Sequence, residues 1–262
     1  MRSALSKTLL FLLVLGSAVP ALATPVVNSA VLHPRVFDDF SDSTLTQGDA
    51  YPSSMLFEDT IGADTQGWAN LHTWRFSANN FTDAQFANAD QFSFSADLVI
   101  SGTAYAEAGL QISPWWSPQV DGRLNVKVSG EIAAFGGRLP FYSFTASHGL
   151  SYVRGDTIHL EMIYDPNSLS MADPGTIEYK VTYNSVSYTS GELLFDEGNP
   201  AEGHGSWGIL SPAYAGGHLQ AFNGAPEGTA RADWTNITFI PEPGTLALLA
   251  IGGLMTLIRR RP

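Results

Sequence analysis

The 262-residue chain contains no cysteine. No disulfide framework can brace it, so any fold must rest on core packing alone. Basic residues are also scarce: 13 Lys and Arg stand against 25 Asp and Glu, a net charge of −12. An acidic surface of this kind repels nucleic acid and anionic lipid, and neither is expected as a partner. The histidines are scattered, with no His-x-x-x-His spacing, which argues against a zinc site. No Gly-x-Ser-x-Gly elbow, phosphate loop or dinucleotide fingerprint is present. Outside the two ends no amphipathic period runs for three helical turns, and no repeat of fixed length recurs.

The two ends carry the plainest signals. At the N-terminus, Arg2 and Lys7 precede an apolar run from Leu9 to Leu15, and Ala21-Leu22-Ala23 follows as a small-x-small site. This is the pattern of a secretory signal peptide over residues 1–23, cleaved after Ala23 by signal peptidase. At the C-terminus, Pro241-Glu242-Pro243 forms a stiff extended tripeptide, because proline fixes its own φ and restricts the residue before it. The uncharged run Gly244–Ile258 follows, and Arg259-Arg260-Arg261 closes it. As a helix these 15 residues rise about 22 Å, short of a bilayer core of ~30 Å. A marginal span with a basic stop suits transient membrane insertion better than permanent anchoring. Residues 241–262 resemble the PEP-CTERM sorting tail of exported bacterial proteins. That resemblance implies recognition by an exosortase and delivery to the cell surface or extracellular matrix, with extracellular polysaccharide as the expected surroundings.

Residues 24–240 are left as one domain, long enough to bury a core without disulfides. Eight basic and 24 acidic residues remain in it, a net charge near −16. Alternation of period two marks strands at Phe92–Ile100, Ala104–Ile112, Arg123–Ile132, Asp156–Tyr164 and Trp234–Ile240, with a hairpin about Asn184-Ser185. Glycine, proline and aspartate clusters such as Arg154-Gly155-Asp156 and Asp173-Pro174-Gly175 separate them. The expected fold is an all-β, two-sheet antiparallel sandwich of jelly-roll type. Phe37-Asp38-Asp39-Phe40, Ala106-Glu107-Ala108-Gly109-Leu110, the Gly155-Asp156 turn and Ala232-Asp233-Trp234 resemble the concanavalin A-like lectin and glucanase jelly rolls. That fold hosts lectins, glycosidases and inert modules alike, so it leaves function open.

Three kinds of site follow from the residues. Sugar binding would use Trp115 and Trp116, in a loop between Pro114 and Pro118, as stacking platforms. Tyr105, Glu107, Asn125, Arg123 and Tyr142 would supply hydrogen bonds on an adjoining face, and Trp207 with Tyr214 form a second cluster in the glycine-rich stretch 205–217. Glycoside hydrolysis needs two carboxylates about 5–9 Å apart, and Glu107 with Glu161 would meet only if their strands are neighbours. The Glu-x-Asp-x-x-Glu strand of jelly-roll glucanases is absent. A structural Ca²⁺ could be held by Asp38, Asp39 and Asp233 if the first and last strands lie together. The leading expectation is a non-catalytic structural or carbohydrate-interacting module; the alternative is a glycan hydrolase of the glucanase type.

Overall fold

A computed structural model describes residues 25–40, 42–62, 67–114, 117, 121–195, 207–222 and 228–241. The expected signal peptide and the expected sorting tail beyond Pro241 lie outside them. Among the described residues no helix is long and apolar enough to cross a membrane. In chain order the strands are β1 (Ser29–Asp38), β2 (Thr44–Ala50), β3 (Ser54–Ile61), β4 (Ala69–Ser77), β5 (Phe92–Gly102), β6 (Ala106–Pro114) and β7 (Gly122–Lys127). They continue as β8 (Ile132–Gly136), β9 (Tyr142–Ser143), β10 (Thr157–Asp165), β11 (Thr176–Tyr183), β12 (Val186–Leu194), β13 (Ala213–Phe222) and β14 (Gly228–Pro241). A five-residue helix, α1 (Phe144–His148), follows β9, capped by the Ser143 hydroxyl and stopped by left-handed Gly149.

Two seven-stranded antiparallel sheets face one another. The first runs β1-β4-β13-β6-β7-β8-β9 and the second β12-β11-β10-β5-β14-β3-β2. The all-β sandwich expected from the alternation is therefore present. In β10, Ile158, Leu160, Met162 and Tyr164 point into the core while His159 and Glu161 point out. The hairpin between β11 and β12 turns at Asn184-Ser185, both left-handed, as a two-residue hairpin turn requires. Two expectations need correction. Arg123–Ile132 is not one strand: left-handed Gly130 closes a tight turn, and the chain doubles back as β7 and β8. The glycine-rich stretch is not all loop, because Tyr214 to Phe222 belong to the central strand β13. Gly217 is needed there, since a Cβ at that position would lie 2.4 Å from the indole nitrogen of Trp74.

Between the sheets Trp74 of the first meets Trp234 of the second, ring centroids 6.1 Å apart and edge to face. The Trp234 indole N–H donates to the Gly109 carbonyl at 3.2 Å, which ties the second sheet to β6. One polar seam crosses this core. Asp59 on β3 accepts hydrogen bonds from Asn70 Nδ2 (2.7 Å) and His72 Nε2 (3.1 Å) on β4, and all three side chains are fully buried. His72 Nδ1 accepts the Arg35 backbone N–H at 3.0 Å, which leaves Nε2 to donate to Asp59. Asn70 Oδ1 accepts the backbone N–H groups of Asp39 (3.0 Å) and Phe40 (3.1 Å). The seam thus fixes where the chain leaves β1.

Burial on its own would raise the Asp59 carboxyl, but the hydrogen bonds from His72 and Asn70 outweigh it and hold the group below its ordinary value. A carboxyl depressed in the fold stabilises above its unfolded pKa of about 3.9 and loses that contribution as pH falls through the native value. Asp59→Ala strands two buried donors and should cost about 2–4 kcal/mol in denaturant unfolding at neutral pH. Asp59→Asn should flatten the loss of stability below about pH 4; an acid limb as steep as the parent's would show that Asp59 does not contribute to it.

Candidate functional site

The site grows from the outer face of the first sheet. Because strand side chains alternate, Ala106, Ala108, Leu124, Val126 and Leu219 enter the core, and their neighbours Glu107, Arg123, Asn125, His218 and Gln220 stand on the opposite face. The ladder register sets them side by side: Gln220 is opposite Glu107, which is opposite Lys127, and His218 is opposite Gly109, which is opposite Asn125. β6 is consequently buried on both faces, where alternation alone suggested a half-buried strand.

Arg123 organises the floor. Its Nη1 donates to Glu107 Oε1 (2.8 Å) and Gln220 Oε1 (2.5 Å), and its Nε donates to Asp121 Oδ2 (2.9 Å). The second Glu107 oxygen accepts Asn125 Nδ2 at 2.9 Å, and Asn125 Oδ1 accepts His218 Nε2 at 3.0 Å. Each of these side chains is buried. Burial raises the Asp121 carboxyl, partly offset by the Arg123 charge. Burial, reinforced by that same charge, pushes the His218 imidazole well below its ordinary value. His218 is therefore neutral, with its proton on Nε2.

Against this floor lies a cleft of about 480 Å³. Glu107, Asp121, Arg123, Lys127 and Gln220 line its polar side, and Phe37, Trp68, Leu71, Phe135 and Phe222 its apolar side. Trp68 is the exposed member, 60% accessible, with its ring against Phe37 (6.0 Å) and edge-on to Phe222 (5.6 Å). The Asp39 carboxylate accepts the Trp68 backbone N–H at 2.9 Å and holds the indole at the cleft lip.

Of the residues expected to bind ligand, Glu107, Asn125 and Arg123 meet in the floor, and Tyr105 packs on Phe222, centroids 5.7 Å apart. Trp115 and Trp116 lie outside the described residues. Tyr142 is elsewhere, on β9 against His148 of α1. Tyr214 lies beneath the Arg75 guanidinium at 4.5 Å, and the Trp207 carbonyl accepts the Gly175 N–H. The pairing of Glu107 with Glu161 does not form. Glu107 stands on the outer face of the first sheet and Glu161 on the outer face of the second, between Ser95 and Lys180, with the core between them. The joint Ca²⁺ site at Asp38, Asp39 and Asp233 does not form either. Asp38 pairs with Arg35, Asp39 caps Trp68, and Asp233 is held by Arg231 (2.7 Å) on the outer face of the other sheet. Among the described residues no group of three His, Asp or Glu is arranged to hold a metal ion. Trp68, Phe37, Phe222 and Gln220 were not expected as site residues.

No protein-family model and no curated protein matches the sequence. Several solved structures align with the chain. A family 7 alginate lyase aligns at 12% identity and a TM-score of 0.43, covering 72% of this chain and 78% of its own. The catalytic domain of an endo-1,3-β-glucanase (laminarinase) from Thermotoga petrophila aligns at 9% identity and 0.43, covering 83% and 98%. Arcelin-5, a lectin-like defence protein from Phaseolus vulgaris, aligns at 10% identity and 0.39, covering 82% and 100%. The chain itself is an all-β sandwich of two antiparallel sheets.

The depressed His218 gives a pH test. A group neutral in the fold and protonated when unfolded stabilises above its unfolded pKa of about 6.5 and loses that contribution as pH falls below it. Chemical denaturation from pH 7 to pH 5 should show a His218 contribution approaching 1.4 kcal/mol per pH unit, which His218→Gln removes. Parallel pH profiles for the two proteins would contradict the burial of a neutral imidazole.

Proposed function

We propose that this chain is an exported, non-catalytic carbohydrate-binding module whose ligand lies in the cleft on the outer face of the first sheet. The observation that carries this reading is the exposed Trp68 indole, held at the lip by Phe37, Phe222 and Asp39 above a polar floor. A saccharide presents apolar C–H faces and hydroxyl edges, and an aromatic wall beside carboxylate and amide groups matches both. Hydrolysis is a poorer fit to the same cleft. Its two carboxylates, Glu107 and Asp121, both accept hydrogen bonds from Arg123, so neither stands free as acid or base. Residues 1–23 and 241–262 support export with cleavage by signal peptidase, sorting by an exosortase, and a location at the cell surface or in a polysaccharide matrix.

Affinity electrophoresis of the domain through gels carrying individual polysaccharides tests binding. Retardation by at least one is expected, and Trp68→Ala should weaken it by about tenfold or more, as loss of a central aromatic anchor does. Equal retardation of the variant would remove the lip from the site, and release of new reducing ends would overturn the non-catalytic reading. Intact mass in the native host should show loss of both termini, near Ala23 and near Pro241. Retention of Arg259 to Arg261 in the membrane would instead mark a permanent anchor.

A further inference from the structure

The charge arrangement of the cleft narrows its ligand, on the premise that the cleft binds a saccharide at all. Two cations line it, Arg123 and Lys127, and two carboxylates, Glu107 and Asp121, balance them. Arg123 binds Glu107, Gln220 and Asp121 through Nε and Nη1, three acceptors within 2.9 Å, and two of them are carboxylates. Lys127, at the rim, is bound to Glu131 at 2.5 Å. Arg75, in the neighbouring row of the same face, is taken by Asp83 at 3.0 Å and lies over the Tyr214 ring. A ligand carboxylate or sulfate would therefore have to share each of these cations with a protein carboxylate already paired with it. It would also approach a domain whose net charge is near −16. Neutral hydroxyls meet no such barrier: Glu107 and Gln220 can accept from them, and the aromatic wall is indifferent to charge.

We infer that the cleft takes an uncharged polysaccharide and discriminates against polyuronates and sulfated glycans, the discrimination being set by the internal pairing of Arg123 and Lys127. The test is affinity electrophoresis of the full domain in gels of neutral polysaccharides (β-1,3-glucan, xylan, galactomannan, starch) and of alginate, at low and at physiological salt. Retardation by a neutral polymer, unchanged by salt, and none by alginate is the expected result. Glu131→Gln removes the carboxylate charge paired with Lys127 at the exposed rim, where folding is not at stake, and Glu107→Gln removes one of the two carboxylate charges beside Arg123. Either variant should gain at least threefold in alginate retardation at low salt, and lose the gain as salt screens the charge. Parent protein held by alginate in a salt-dependent way would overturn the inference while leaving carbohydrate binding intact. Binding to neither class would instead overturn the carbohydrate reading itself, and the inference with it. A gain absent from both variants, with their folding confirmed by circular dichroism, would show that the pairing does not set the selectivity.

Discussion

Arg123 is a guanidinium held on a sheet face with little access to water, and the site depends on how that charge is satisfied. A buried charge is tolerated only when it is paired and its donors are filled. Asp121, Glu107 and Gln220 do this from three separate points in the sequence, brought together by the order β13-β6-β7. Filling those donors fixes the Glu107 rotamer, Glu107 fixes Asn125, and Asn125 fixes both the ring plane and the tautomer of His218. Linked side chains of this kind favour one arrangement, although His218 Nδ1 at the end of the chain of bonds is buried without a partner. The pairing of Arg123 with its carboxylates makes the floor inert. A carboxylate committed to an arginine is a poor general acid, and an arginine committed to carboxylates is a poor anion receptor.

The lip of the cleft depends on a different set of bonds, reached from inside the sandwich. Asp59 and His72 sit between the sheets, and through Asn70 they hold the backbone of Asp39 and Phe40. Asp39 in turn receives the Trp68 amide. An exposed indole on an untethered loop would lose rotational and backbone freedom on binding, at a cost set against its stacking. Here the freedom has already been surrendered in folding. Interior polar groups, which contribute little net stability by themselves, find their use in this pre-organisation.

The architecture was legible because period-two alternation is a local property. Ile158, Leu160, Met162 and Tyr164 announce their strand without reference to any other part of the chain, and so does the Asn184-Ser185 turn. Part of the floor was legible for the same reason, since Glu107, Arg123 and Asn125 fall on the polar side of clearly alternating strands. Pairings between strands were not. Glu107 and Glu161 look equivalent along the sequence, each a carboxylate opposite an apolar row, and only the assignment of β6 and β10 to different sheets separates them. Asp38, Asp39 and Asp233 misled in a like manner: proximity of first and last strands was assumed, whereas β1 edges one sheet and β14 lies inside the other.

The aromatic lip was hidden for a further physical reason. Phe37, Trp68 and Phe222 stand at the end of β1, just before β4 and at the end of β13, so three distant positions converge through the order β1-β4-β13. None lies in a run that alternates cleanly. β1 carries a register shift between His33 and Phe37, and along β13 the side-chain alternation, though not the strand, is broken by Gly216-Gly217, which the Trp74 ring and strand β4 demand. Those irregularities erase the local pattern that sequence reading relies on. The Trp115-Trp116 pair drew attention because adjacent tryptophans are conspicuous in a sequence. An aromatic platform assembled from single residues leaves no such mark, and is recognised only once the strands that carry it are in register.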